Sequence, residues 1–110
     1  MSLTTHVLDL ATGYPAQGMG VLLSVRTGDG WHELARGATD ADGRAAFDSD
    51  APLPAAIYRL RFETGDWFRE MDLEHFWPHV EITFTIREPE EHHHVPLLLS
   101  PFGYSTYRGS

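Results

Sequence analysis

Strict alternation of apolar and polar side chains in short segments constrains the fold of this chain more than any other feature. At positions 80–87, Val, Ile, Phe and Ile occupy one face, and Glu, Thr, Thr and Arg occupy the other. A period of two is that of a β-strand with one buried face. Positions 57–63 and 21–26 alternate in the same way, and 5–10 and 92–100 are further strand candidates.

Turn residues separate these segments. Asp-Ala-Asp-Gly at positions 40–43 predicts a tight turn that joins strands 31–38 and 44–47 into a hairpin. Only the segment 64–71 breaks the alternation, and because residues that can cap a helix stand at its start, we expect a short helix there. Seven or eight strands and one short helix predict an all-β fold, an antiparallel β-sandwich.

Length and charge limit both the organisation and the partners. The 110 residues, 42% of them hydrophobic, predict one domain over positions 1–110 with a real core. A formal net charge of −8 argues against nucleic-acid binding and against a polybasic membrane contact. The chain also shows no secretory signal and no apolar run near the ~20 residues of a membrane span, so we expect a soluble, cytoplasmic protein.

The residue types that are absent restrict the chemistry. The sequence contains no cysteine, and all 8 of its basic residues are arginine. Disulfides, thiolate metal sites and cysteine nucleophiles are therefore excluded. Catalysis or metal binding would have to rest on histidine, arginine, hydroxyl and carboxylate groups.

Histidines cluster in the sequence Glu-Glu-His-His-His at positions 90–94. His92 and His94 point the same way in an extended strand, so they form a pair that could hold a metal, with His6 or Glu90 as a third ligand. The solvated start of a strand explains the same pattern equally well. His6 alone, on a face shared with apolar residues, is more typical of a packed histidine.

The last nine residues are unusual for a chain end, which is normally frayed. They carry two tyrosines, an arginine and several hydroxyl groups. Such a tail predicts a docked segment that could place a hydroxyl or the terminal carboxylate in a site.

Four motifs stand in order along the chain: His-Val-Leu-Asp at 6–9, Thr-Asp-Ala-Asp-Gly-Arg at 39–44, His-Val-Pro-Leu-Leu-Leu-Ser-Pro at 94–101 and Tyr-Arg-Gly-Ser at 107–110. Together they resemble the 5-hydroxyisourate hydrolases, the transthyretin-related enzymes of urate degradation. The resemblance covers residues 4–110. It implies a transthyretin-like sandwich of two four-stranded sheets with a short helix, in agreement with the strand pattern. It also implies a homotetramer, a dimer of dimers, with active sites between subunits in a central channel.

The resemblance also implies a site without metal or cofactor. Its catalytic residues would be His6, Arg44, His94 and Ser110. Its substrate-binding residues would be His6, Arg44, Tyr107 and Arg108. As a hypothesis, the two histidines move the proton of the attacking water near neutral pH, and the guanidinium stabilises the developing negative charge. Ser110 would hold the water or fix the histidine tautomer.

Two other functions remain as alternatives. One is a zinc-dependent hydrolase in which His6, His92 and His94 bind the metal that activates water. The other is a transthyretin-type carrier that binds a hydrophobic ligand in the intersubunit channel. A carrier would be expected to lose the histidine, arginine and tail motifs, all of which this sequence keeps.

Overall fold

The computed structural model describes residues 2–48 and 52–110. Within these ranges the chain forms nine strands and one helix, in this order: β1 (Ser2–Asp9), β2 (Tyr14–Pro15), β3 (Gly20–Thr27), β4 (Gly30–Ala38), β5 (Arg44–Asp48), β6 (Ala56–Phe62), α1 (Thr64–Glu70), β7 (Val80–Ile86), β8 (His93–Ser100) and β9 (Gly103–Thr106). The strands form two sheets, which confirms the predicted β-sandwich with one short helix.

One sheet has four antiparallel strands in the order β4-β3-β6-β7. The alternation that predicted its strands decides which side chains enter the core. Tyr58, Leu60 and Phe62 of β6 are each at most 1% exposed, whereas the residues between them remain half-exposed. Burial of such large apolar side chains contributes ~1.5–3 kcal/mol each to stability.

The other sheet has five strands rather than the expected four. Its main order is β2-β1-β8-β9, and β5 also pairs with β1. Short strands β2 and β5 lie end to end along one edge of β1, so this sheet is still four strands wide. The β1–β8 pair is parallel and is the exception to the predicted antiparallel pairing in the described strands. A long stretch of chain separates the two strands, as a parallel pair requires.

The expected hairpin of β4 with β5 is wrong. The turn at 40–43 forms, with the Asp42 and Arg44 amides donating to Asp40 Oδ1 at 2.9 and 3.0 Å. However, β4 pairs with β3, and β5 pairs with β1 in the other sheet. A tight turn fixes the direction of the chain but not the partner of the next strand, so here it carries the chain from one sheet to the other.

The helix lies over Thr64–Glu70, as predicted, but a side chain does not cap it. Its N-cap position is Glu63, without a side-chain hydrogen bond, and Thr64 is buried instead. Phe68 is 2% exposed and anchors the helix in the core. None of the helical segments in the described ranges has the length and apolar character needed to cross a membrane.

Candidate active site

The outer face of the five-stranded sheet collects the predicted site residues. Alternation along β1 buries Leu3, Thr5 and Val7 and leaves Thr4 and His6 on the opposite face. His6 lies opposite Arg44 of β5, and Thr4 lies opposite His94 of β8. The strand order, rather than proximity in sequence, therefore brings these residues together.

A pocket of about 440 Å³ opens on this face. Its lining consists of Thr4, Asp40, Arg44, Ala45, Ala46, His92, His94 and Ser110. Three of the predicted catalytic residues are in this set. His6 lies beside them, close enough for its charge to act on both Asp40 and His94.

The chain tail docks on β8 and carries Ser110 to the pocket. The Gly109 amide donates to the His94 carbonyl oxygen at 2.8 Å. A Cβ atom at Gly109 would collide with Cδ2 of the His94 ring, so only glycine allows the tail to lie this close to the imidazole. The glycine of the Tyr-Arg-Gly-Ser motif thus has a direct steric role that the sequence did not reveal.

Thr4 contacts two imidazole rings. Its Oγ1 lies 2.8 Å from Nδ1 of His94 and 3.2 Å from Nε2 of His92. The two rings are nearly parallel, at 15°, with centroids 6.4 Å apart. Thr4 was missed in the sequence, although its position two residues before His6 on one strand was a usable signal.

Burial and neighbouring positive charge both act on His94. The ring is half-buried, which disfavours the charged form, and Arg44 and His92 add electrostatic repulsion. Together they lower the pKa of His94 below its ordinary value. His94 is therefore neutral at neutral pH, the state in which an imidazole can accept a proton.

Asp40 contributes a negative charge to the lining of the pocket. The Arg44 and Asp42 amides donate to its carboxylate and lower its pKa, and the Arg44 and His6 charges act in the same direction. The carboxylate therefore stays ionised and fixes the backbone from which Arg44 projects. From the sequence, Asp40 was predicted only as a turn residue.

Tyr107 and Arg108 lie against a second cavity, of about 240 Å³, and not in the first pocket. Ile82, Phe84 and Val95 line this cavity together with them. The Arg108 guanidinium donates through Nη2 to Glu91 Oε2 at 2.7 Å. Within one chain these two predicted substrate-binding residues therefore do not line the pocket of Arg44, although His94 lines both cavities.

The zinc alternative finds little support in the geometry. Across residues 2–48 and 52–110, no three histidine, aspartate or glutamate side chains converge at distances that could hold a metal ion. His92 and His94 do lie side by side, as the His-x-His pattern predicted. Among residues 2–48 and 52–110, no third side chain joins this pair at a distance suitable for a metal ligand.

Comparison with known proteins assigns the chain to a family. The sequence model of the HIUase/Transthyretin family matches residues 3–109. A Caulobacter vibrioides protein named 5-hydroxyisourate hydrolase is 48% identical over 112 residues, covering 98% of this chain and 97% of that protein. The structure of Klebsiella pneumoniae 5-hydroxyisourate hydrolase superimposes with a TM-score of 0.87 at 45% identity, covering 100% of both chains.

A crystal structure of sea bream transthyretin in complex with thyroxine has a TM-score of 0.89 at 32% identity. It covers 97% of this chain and 93% of that one. The family match over nearly all residues, the relatives of the same length and the shared sandwich agree with one another. The chain belongs to the HIUase/transthyretin family.

Proposed function

We propose that this protein hydrolyses 5-hydroxyisourate to 2-oxo-4-hydroxy-4-carboxy-5-ureidoimidazoline. The observation that carries the proposal is the pocket itself, where Arg44, His94 and Ser110 meet beside His6. These residues come from four separate motifs, and relatives named 5-hydroxyisourate hydrolase are 42–48% identical over nearly the whole chain. A proton acceptor, a fixed cation and a hydroxyl are the groups that hydrolysis of a cyclic amide bond requires.

In the proposed mechanism, His94 and His6 remove a proton from water as it attacks the ring carbonyl. Nδ1 of His94 is engaged by Thr4, so Nε2 is the nitrogen that can act on a molecule in the pocket. The lowered pKa of His94 supports this role, because the neutral ring can accept the proton at neutral pH. The same proton later serves the leaving ring nitrogen.

Arg44 is the proposed electrostatic centre. The substrate is an acidic, electron-rich urate derivative, and negative charge grows on its carbonyl oxygen during attack. A guanidinium in the lining of the pocket can bind that oxygen and stabilise the charge. Ser110, which lines the same pocket, would hold the attacking water or the histidine tautomer.

The proposed active unit is a homotetramer, a dimer of dimers, in the cytoplasm. The pocket opens on the outer face of a sheet, where another subunit could close it. Tyr107, 58% exposed and outside the pocket of its own chain, could then contact the substrate from a second subunit, with Arg108 beside it. Light scattering should give a mass of about four times the 12.4 kDa of one chain.

The decisive assay adds the protein to urate while urate oxidase converts it, and follows the decay of the hydroxyisourate absorbance. We expect the decay to be much faster than the spontaneous reaction, and Arg44→Ala to abolish most of the acceleration. A wild-type protein that leaves the decay unchanged would refute the proposal. If that protein bound thyroxine instead, the carrier alternative would replace it.

Chelation separates the proposal from the zinc alternative. We expect full activity after exhaustive dialysis against a strong chelator, because the proposed groups are all side chains of the protein. Activity that disappears on dialysis and returns with zinc alone would establish the metal-dependent mechanism.

A further inference from the structure

A single hydroxyl group joins the two stacked histidines of the pocket. Thr4 Oγ1 is within hydrogen-bond distance of Nδ1 of His94 and of Nε2 of His92. A hydroxyl has one proton to donate and lone pairs to accept with. If it donates to one ring nitrogen, it must accept an N–H from the other, so the tautomers of the two rings are coupled.

When Thr4 donates to one of the two rings, two arrangements are possible. In one, Nδ1–H of His94 donates to Thr4, and Thr4 donates to Nε2 of His92, which leaves Nε2 of His94 without a proton. In the other, both bonds are reversed, and Nε2 of His94 carries a proton. The first arrangement prepares His94 as a base and the second as an acid, so a shift of two protons, one in each hydrogen bond of Thr4, changes its role.

We propose that Thr4 is a positioning residue that relays a proton between His94 and His92 during hydrolysis. The inference rests on the proposed function. As water attacks, one of its O–H bonds breaks and the proton binds Nε2 of His94, while the hydroxide adds to the substrate carbonyl carbon. The Nδ1 proton passes to the Thr4 oxygen, and the Thr4 proton passes to Nε2 of His92. The reverse shift returns a proton from Nε2 of His94 to the leaving ring nitrogen as the C–N bond breaks.

The surroundings favour moving the charge away from His94. This ring is half-buried and lies near the Arg44 charge, so a second cation there is disfavoured. His92 is exposed, and water can hydrate an imidazolium at that position. The relay therefore places the imidazolium charge on the more exposed ring of the pair and leaves His94 neutral after it has taken the proton of the water.

The hydroxyl is also held rigidly enough to serve both rings. Thr4 is the third residue of β1 and is paired with Ala46 of β5 on one side and with His94 of β8 on the other. A β-branched side chain in a strand has few χ1 choices. The position of Oγ1 is thus set by the sheet and not by the two histidines alone.

The test begins with Thr4→Val, which keeps the shape of the side chain and removes the hydroxyl. We expect kcat to fall by at least ~10-fold, since positioned proton transfer contributes 10²–10⁴-fold, while KM changes little. Thr4→Ser should restore most of the rate. Thr5→Val is the matched control: its hydroxyl, on the buried face of the same strand, donates to the Val95 carbonyl oxygen at 2.6 Å, so we expect near wild-type kcat.

A second variant tests His92, the final proton acceptor of the relay, without altering β1. His92→Gln can still hydrogen-bond to Thr4 but cannot take up a proton, and it lies at an exposed position. We expect its kcat to fall as in Thr4→Val, with KM again little changed. Wild-type kcat in His92→Gln, or a Thr4→Ser rate as low as that of Thr4→Val, would overturn the relay.

NMR spectroscopy tests the relay independently of the proposed hydrolase activity. In ¹⁵N-labelled protein without substrate, the imidazole shifts of His94 report which nitrogen carries the proton. We expect one dominant tautomer in the wild type and in Thr4→Ser, and a mixture in Thr4→Val. An unchanged tautomer in Thr4→Val would refute the relay even if the enzyme is active. A wild-type protein inactive on 5-hydroxyisourate would instead refute the proposed function.

Discussion

At the scale of single residues, the pocket depends on close contacts around one imidazole. Nδ1 of His94 is hydrogen-bonded to the Thr4 hydroxyl, and the Gly109 amide donates a hydrogen bond to the His94 carbonyl oxygen. The imidazole ring also lies against Gly109. Each contact restricts the orientation of the ring. Small changes at these neighbours should therefore alter activity more than they alter stability.

The pH dependence of activity should report the charge of Arg44. Burial and then Arg44 lower the pKa of His94, so the acidic limb of the kcat/KM profile should lie below the ordinary histidine value of ~6.5. Arg44→Gln removes the positive charge, so the pKa of His94 should rise and the acidic limb should move to higher pH. This shift is expected even if the maximum kcat/KM is much lower. Arg44→Lys keeps the charge and should leave the limb in place. An unmoved limb in Arg44→Gln would contradict this prediction.

Gly109→Ala should disturb the site while leaving the fold intact. The added Cβ atom would collide with the His94 ring, so the ring or the tail must move. A displacement of ~1 Å can cost ~100-fold in rate, and we expect a loss approaching that size with little change in Tm. Gly37→Ala is the control, because a Cβ atom there meets nothing within 4 Å. Equal activity of the two variants would show that the glycine contact is unimportant.

At the scale of elements, the turn at 40–43 determines how β5 reaches the site. Gly43 has φ of 76°, and the amide of Val7 donates to its carbonyl oxygen at 2.8 Å. This bond joins the turn to β1 directly before Arg44 begins β5. The turn is thus the device that places Arg44 opposite His6.

Gly43→Ala should destabilise the protein more than strain in the turn alone would. The new Cβ atom would lie 2.5 Å from the Val7 oxygen and 2.9 Å from Pro15 Cβ. We expect a loss of at least ~2 kcal/mol in the free energy of unfolding, from left-handed strain and collision together. Gly28→Ala, at φ of 58° with nothing within 4 Å, should show only the strain. Urea denaturation compares them, and equal losses would disprove the collision.

At the scale of the whole molecule, the separation of Tyr107 from Arg44 indicates how a complete site could be built. The two residues line different cavities of one chain. If the proposed site takes each of them from a different subunit, assembly is a condition for activity. The protein has a net charge of −8, but the local potential at a site depends on the nearest charges. Arg44 can therefore make the site cationic.

Complementation between two damaged chains tests this arrangement. Arg44→Ala and Tyr107→Ala should each be poorly active alone. When the two variants are co-assembled in equal amounts, half of the sites receive an intact Arg44 and half of those receive an intact Tyr107. About a quarter of the wild-type activity should therefore return. If both residues act within one chain, no site is repaired and the mixture stays as inactive as its components. Each variant assembled with itself is the control.

Much of the fold could be predicted from the sequence because the signals are local. Alternation marked β6 and β7 and their buried faces, and the break in alternation marked α1. The Asp-Gly turn at 40–43 also formed where expected. Strand period, turn chemistry and helix length depend on neighbouring residues, so a single sequence carries them.

Which strands pair with each other in the two sheets was decided only by the tertiary structure. The choice of β1 rather than β4 as the neighbour of β5 depends on how two sheets bury their faces together, which no local pattern encodes. That choice placed Arg44 opposite His6, and the parallel β1–β8 pair placed Thr4 beside His94. The sequence by itself determined the strands, the core faces and the residue types available for chemistry. The three-dimensional pairing decided which of those residues share a pocket, because the distances between side chains far apart in sequence are set by packing.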